Sequence, residues 1–219
     1  MPRKKLFLVH TSATLVPIFE QLCKSKLPGV SVSNMVDDSL IKEVIANGCL
    51  CPPTAKRVIQ LVAAAEAAGA EYILVTCSSI GRAVETAAGL SRVPVLRVDR
   101  PMAEKAVAMG QRIGVIATVQ TTLEPTSDLI QRCADEKGKD IKLTMRLCEG
   151  AFEALMNGDA EKHDAMVKAA LRELMTEVDV ITLAQASMAR VVDALPDAEK
   201  RVPILASPPL AIDYLATIL

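Results

Sequence analysis

The sequence predicts an α/β protein of two pseudo-symmetric lobes, each a parallel sheet flanked by helices, and three observations carry that prediction. Short apolar runs recur along the 219 residues, several of them β-branched or leucine-rich without polar alternation, as strands buried on both faces read. Stretches with helix signals fill the intervals, so strand and helix alternate throughout. The second half of the chain also repeats the first in register, which implies an internal duplication.

Taken in order, the strand candidates are residues 6–9, 30–36, 72–75, 93–98, 113–117, 141–147, 180–183 and 202–205. Residues 54–69 form an alanine-rich helix that stops at Gly69, and residues 101–110 begin with proline and end with glycine, the usual asymmetry of helix ends. The repeat aligns Val9-His10-Thr11 with Ile116-Ala117-Thr118. It then aligns Glu71-Tyr72-Ile73-Leu74-Val75-Thr76-Cys77 with Asp179-Val180-Ile181-Thr182-Leu183-Ala184-Gln185, and Val93-Pro94-Val95 with Val202-Pro203-Ile204. By subtraction of those positions the offsets are 107, 108 and 109 residues. The expected lobes are therefore residues 1–110 and 111–219, with a last helix at 208–219 free to pack back on the first lobe.

Composition narrows the function. Lys and Arg number 25 against 26 Asp and Glu, so the chain lacks the basic surplus that nucleic acid or an anionic membrane demands. Aromatic residues are 2% and tryptophan is absent, which removes base-stacking platforms and leaves an aliphatic core. Six cysteines, at 23, 49, 51, 77, 133 and 148, include no CxxC pair and no histidine spacing suited to zinc, so no metal site is expected. The amino-terminal apolar stretch ends at His10, too short for a signal peptide or a membrane span, and the expected location is the cytoplasm with reduced thiols.

In parallel α/β sheets, ligands bind beyond the carboxyl ends of the strands, and two related lobes would set two such ends face to face. The residues to inspect are His10 and Thr11 with Thr118, Thr76-Cys77-Ser78-Ser79 with Ala184-Gln185-Ala186-Ser187, and Asp37-Asp38 with Cys148-Glu149. Cys77 closes an apolar strand, and a serine of Ser78-Ser79 is expected to cap the helix that follows. A thiol there faces unpaired N–H groups and the positive end of a helix dipole, which would lower its pKa; the alternative is a small buried apolar residue. The other five cysteines lack this context. Thr118 follows a strand, and Thr121-Thr122-Leu123-Glu124 fits a capping box, so hydroxyls and free N–H groups gather where a carboxylate could sit, or merely cap a helix. His10 could serve as acid, base or donor beside the site, or as a structural histidine; His163 reads as a surface or capping residue.

These residues resemble the aspartate/glutamate racemase superfamily, which includes hydantoin racemases, maleate isomerases and arylmalonate decarboxylases. The resemblance spans the whole chain through the duplicated lobes, Val75-Thr76-Cys77-Ser78-Ser79, Ala117-Thr118-Val119-Gln120-Thr121-Thr122 and Leu183-Ala184-Gln185-Ala186-Ser187-Met188. It implies chemistry without a cofactor on the carbon next to a carboxylate, with one cysteine per lobe as opposed acid and base. Here the first thiol is Cys77, and Gln185 stands where the second is expected; a carboxamide exchanges no proton at neutral pH. A second acid or base would then be His10 or Glu149. The expected substrate is a small carboxylate, held by His10, Thr11, Thr76, Ser78, Ser79, Thr118, Thr121, Gln185 and Ser187, and the expected assembly is a homodimer or higher homo-oligomer. An isomerase or racemase with one thiol leads, followed by a decarboxylase or other lyase using the same residues and by a carboxylate-binding protein without catalysis.

Overall fold

The computed structural model describes residues 4–219; residues 1–3, where the charged amino-terminal stretch begins, lie outside the described residues. The eight strands are β1 (Lys5–His10), β2 (Ser31–Val36), β3 (Tyr72–Val75), β4 (Val95–Arg97), β5 (Arg112–Ala117), β6 (Lys142–Leu147), β7 (Val180–Leu183) and β8 (Ile204–Ala206). The first five helices are α1 (Val16–Lys26), α2 (Ser39–Asn47), α3 (Pro52–Ala67), α4 (Gly81–Leu90) and α5 (Arg100–Met109). The rest are α6 (Gln120–Glu136), α7 (Ala151–Met156), α8 (Ala160–Leu174), α9 (Ala189–Asp193) and α10 (Ser207–Ile218). Each strand expected from the sequence is found, with ends displaced by at most two residues. Helix α3 starts earlier than its alanine-rich run because Pro52 and Pro53 occupy its first turn, where a missing N–H costs nothing.

Two four-stranded sheets result, ordered β2-β1-β3-β4 and β6-β5-β7-β8, with every pairing parallel. They share a register as well as an order. Leu6 pairs with Tyr72 and Ile73 with Val95 in the first; Ile113 pairs with Val180 and Ile181 with Ile204 in the second. These are the positions that the sequence repeat aligns.

The chain forms two compact units, one running up to Arg100 and taking in Pro208–Leu219, the other Pro101–Ser207. The boundary lies one helix before the expected Gly110. Helix α5 goes with the second unit, where Lys137 Nζ donates to the Glu104 carbonyl and Lys139 Nζ to that of Val107.

Strand alternation sorts each core. In the first unit, Leu6, Leu8 and Leu74 face a cluster built with Phe19 and Cys23 of α1 and Ala211, Ile212 and Leu215 of α10. Val9, Ile73 and Val75 face the other way, onto Leu40 and Val44 of α2, Val58 and Val62 of α3, and Val84 of α4. Two covered faces are why β3 reads as an unbroken apolar run, whereas the edge strand β2 is nowhere fully buried and carries Ser31, Ser33 and Asn34. In the second unit Ile116, Ile181 and Leu183 pack on Val167, Leu171 and Leu174 of α8 and Val191 of α9. Among the described residues no helix is long and apolar enough to cross a membrane.

The amino edges are fastened by the same device in both units. Glu71 accepts from the backbone N–H of Lys5 at 2.8 Å, and Asp179 accepts from the backbone N–H of Gln111 and Arg112 and from the Arg112 guanidinium. The guanidinium and these N–H groups hold the Asp179 carboxyl below its ordinary pKa.

Gly114 of β5 marks a close helix-to-sheet approach. A Cβ there would lie 2.8 Å from Leu174 Cδ2 and 2.9 Å from its Cγ, so the leucine fills the space a side chain would need. Gly114→Ala should therefore lower unfolding free energy by about 1–3 kcal/mol, the usual range for overpacking. Combined with Leu174→Ala, the loss in denaturant unfolding should be smaller than the two single losses added together. Strict additivity would place the strain elsewhere.

Candidate active site

Cys77 stands two residues past the end of β3 and its backbone is extended, with φ −132° and ψ 120°; it is the residue before a 3-10 turn, Ser78–Ile80, that leads into α4. No serine caps α4: the turn intervenes, and Ile80 occupies the cap position without a side-chain bond. The turn instead aims donors at sulfur. Thr11 and Ser79 offer hydroxyls to Cys77, and Ser79 and Ile80 offer backbone N–H groups. Burial nevertheless dominates and pushes the Cys77 thiol up, with those hydrogen bonds pulling the other way. The expected depression of its pKa is thus corrected, because a helix N-terminus is a local feature and desolvation comes from the whole fold.

His10 is fully buried, with Nδ1 2.9 Å from Thr76 Oγ1 and Nε2 3.0 Å from Asn34 Oδ1. Asn34 Nδ2 in turn donates to Glu20, which fixes the Asn34 oxygen toward the ring and makes Nε2–H the donor. Burial lowers the His10 pKa, with Asn34 and Glu20 opposing. Both ring nitrogens are engaged within the unit, so His10 holds Thr76, the residue before Cys77, and leaves no ring nitrogen free for a substrate. Burial works to raise Asp37, but bonds from Ser39 and Arg57 outweigh it and hold the carboxyl below its ordinary range. Asp37 is a turn-capping residue, since its Oδ1 also accepts from the Ser39 N–H at 3.2 Å.

The corresponding edge of the second sheet repeats one contact with a different acceptor. As Thr11 donates to Cys77, so Thr118 donates its backbone N–H and its hydroxyl, at 2.5 and 3.0 Å, to Gln185 Oε1. Gln185 Oε1 thereby takes up the Thr118 hydroxyl that was expected to meet a carboxylate, together with the Thr118 N–H. Helix α6 begins at Gln120 with Val119 at its cap and no side-chain cap bond, so the capping box predicted at Thr121 does not form; Gln120 reaches Glu124 at 2.7 Å instead. Thr121 Oγ1 is buried without a hydrogen-bond partner among the described residues. Ser187 is partly buried in the turn Ala186–Met188, and Glu149 is exposed just beyond β6. Cys148, beside Glu149, is buried, and burial pushes its thiol up to about 11.

Three residues near these edges escaped the sequence reading. Arg97, 5% exposed, forks onto the fully buried Asp99 at 3.0 and 2.8 Å and reaches Glu85 at 2.6 Å. Its guanidinium lies against Gly81, where a Cβ would come 2.2 Å from Arg97 Cζ, so the cation packs under the start of α4, next to the turn that feeds donors to Cys77. A charged residue inside the apolar strand 93–98 was the available signal. His163 is fully buried rather than on the surface, with Nδ1 2.7 Å from Asp164 and Nε2 unpartnered among the described residues; Asp159 is the residue that caps α8.

Arg97→Met should strand Asp99 as a buried unpaired carboxylate and cost about 3–5 kcal/mol in denaturant unfolding, while Arg97→Met with Asp99→Leu should recover most of it. A loss below about 1 kcal/mol for the single variant would mean that water reaches the pair.

The fold matches solved racemases over nearly its full length. A glutamate racemase from Francisella tularensis, in complex with D-glutamate, superposes with a TM-score of 0.78 at 14% identity, covering 99% of this chain and 81% of that one. Glutamate racemase isoform RacE1 from Bacillus anthracis gives 0.75 at 19% identity, covering 99% and 81%. Allantoin racemase from Klebsiella pneumoniae gives 0.69 at 15%, covering 99% and 87%. No curated protein matches the sequence. The sequence profile of one family, however, fits residues 6–215 and so takes in both sheets and both strand-end sites: the chain belongs to the Asp/Glu/Hydantoin racemase family.

Proposed function

We propose that the chain is a cofactor-independent enzyme that moves a proton at the carbon beside the carboxylate of a small amino acid or carboxylic acid, with Cys77 as its single thiol. The coarser part, an isomerase of the racemase type, follows from family membership. The finer part rests on one observation, the contrast at the two equivalent strand ends: Thr11, Ser79 and Ile80 surround a thiol, whereas Thr118 serves a carboxamide.

Burial keeps the proton on Cys77 at neutral pH, so the resting thiol is an acid. For exchange, the thiolate form, whose charge the hydroxyls of Thr11 and Ser79 and the N–H groups of Ser79 and Ile80 take up, removes the α-proton and leaves a carbanion and a neutral thiol. After the S–H exchanges with solvent, the thiol returns a proton to the carbanion on the same face and the thiolate is restored. Within the second unit, the Thr121 hydroxyl, unpartnered among the described residues, and the start of α6, which has no side-chain cap bond, are groups suited to a carboxylate. Thr118 supports that site through Gln185 and does not bind the ligand directly. The protonated thiol also favours a second reading, a decarboxylase, because an enolate left by loss of carbon dioxide needs only an acid.

The sign of the Cys77 shift sets its labelling. A thiol raised by burial is scarcely ionised at neutral pH, so alkylation of the native protein should reach the exposed Cys49 first, and Cys77 labelling should climb with pH beyond the ordinary thiol range. Thr11→Val removes a bond that favours thiolate and should move the Cys77 curve to still higher pH. Peptide mass spectrometry checks both statements; fast labelling of Cys77 at pH 7 would show that the hydrogen bonds override burial.

In heavy water the protein should exchange the α-proton of one enantiomer, or deuterate a decarboxylation product, on a single face, because Gln185 carries no mobile proton. Cys77→Ser should reduce that exchange by about 10²–10⁴-fold while the unfolding curve stays in place. Gln185→Cys should add racemisation that the parent lacks. Chiral separation with mass analysis reads all three; rapid interconversion of both enantiomers by the parent overturns the one-thiol reading, and binding of carboxylates without any exchange makes the chain a binding protein.

A further inference from the structure

The turn between α2 and α3 carries a second sulfur chemistry that the strand-end site does not use. Cys49 Sγ and Cys51 Sγ lie 3.6 Å apart, with Cys49 exposed and Cys51 partly buried. Both ends of the turn are fixed: Gly48 closes α2 in the left-handed region at φ 67°, and Cys51 stands at the start of α3, ahead of Pro52 and Pro53. Leu50, between the two cysteines, packs on the apolar cluster of Val44, Val58 and Ile80 and turns away from solvent. An anchored middle residue with thiols on either side holds the two sulfurs together on the surface. A disulfide needs S–S of about 2.05 Å, so the sulfurs must close by roughly 1.5 Å, within reach of side-chain rotation and a small shift of the turn. Cys23, Cys133 and Cys148 are buried.

We propose that Cys49 and Cys51 form a dithiol that closes to an intramolecular disulfide by exchange with low-molecular-weight disulfides. The Cys49 thiolate, the more accessible, attacks one sulfur of the small disulfide, forming a mixed disulfide and releasing one thiolate. Cys51 then attacks Cys49 Sγ and releases the second. Two electrons pass from the cysteine pair to the small disulfide, whose two thiolates take up the two protons that the cysteines give up. The site is separate from Cys77, and its chemistry does not depend on the reaction proposed there. Closure constrains the turn that holds Leu50 against the core, so the redox state bears on the packing of α2 and α3.

The test equilibrates the full-length native protein in mixtures of reduced and oxidised glutathione, quenches with acid, alkylates the free thiols and digests with trypsin. Residues 43–56, between Lys42 and Lys56, form one tryptic peptide that holds both cysteines and no other. The proposal requires that peptide to appear unalkylated and two mass units light, at a lower proportion of oxidised glutathione than any other thiol reacts. Cys49→Ser and Cys51→Ser should each leave a glutathione adduct on the remaining cysteine. The same sequence as a free synthetic peptide should close with an effective concentration on the order of ten-fold lower, since it lacks the fixed helix ends. Separate glutathione adducts on Cys49 and Cys51 of the parent, or equal closure in protein and free peptide, would overturn the proposal.

Discussion

Burial of a parallel sheet on both faces is the constraint from which the remaining features follow. In each unit the central strands touch helices above and below, so their side chains belong to the core and their backbone groups to the ladder. Polar chemistry is confined to the strand ends. At the amino edge it fastens strands, through Glu71 in the first unit and Asp179 in the second. At the carboxyl edge the chain leaves the sheet through extended residues and 3-10 turns whose N–H groups have no ladder to join, and there Thr11, Cys77, Thr118 and Gln185 stand.

The same low-polarity surroundings act in opposite ways on neutral and permanently charged groups. Cys77 can shed the cost of burial by keeping its proton, and it does so although several hydrogen bonds, each worth about 1.5–3 kcal/mol toward a charged acceptor, favour the thiolate. Arg97 has no such escape, since guanidinium stays charged at every relevant pH. It is buried only because Asp99 accepts both arms of its fork and Glu85 a third bond. Gly81 completes the arrangement by having no side chain where the guanidinium lies.

What could be read from sequence divides along the same line. Continuous apolar runs made the strands legible, and the repeat made the duplication legible; the structure adds that Leu6 with Tyr72 and Ile113 with Val180 pair alike. Cys77 as a strand-end thiol was legible too; its raised pKa was not, because desolvation depends on atoms remote in sequence. Thr121 fitted a capping box, yet the helix starts two residues sooner, and a shift that small defeats any spacing rule. His163 looked solvated among Glu161, Lys162 and Asp164. Helical spacing nevertheless places it on one stripe with Val167, Leu171 and Leu174, the buried face of α8, and that periodicity was the better guide.

The two repeats keep one hydrogen bond and change what receives it. A threonine after the first strand of each unit donates to the residue two past the end of the third, a thiol in one and a carboxamide in the other. The difference is chemical rather than architectural, because order, register and the 3-10 turn that follows are shared. A carboxamide oxygen accepts two donors at once, so Gln185 satisfies the Thr118 N–H and hydroxyl with no ligand present, whereas a thiol there would leave them only a weak acceptor. On the proposed reading, that exchange removes a proton-transfer group from the strand end of the second unit, whose helix α6 carries the Thr121 hydroxyl that is unpartnered among the described residues. Duplicated edges can therefore come to differ in proton-transfer chemistry without any change of fold.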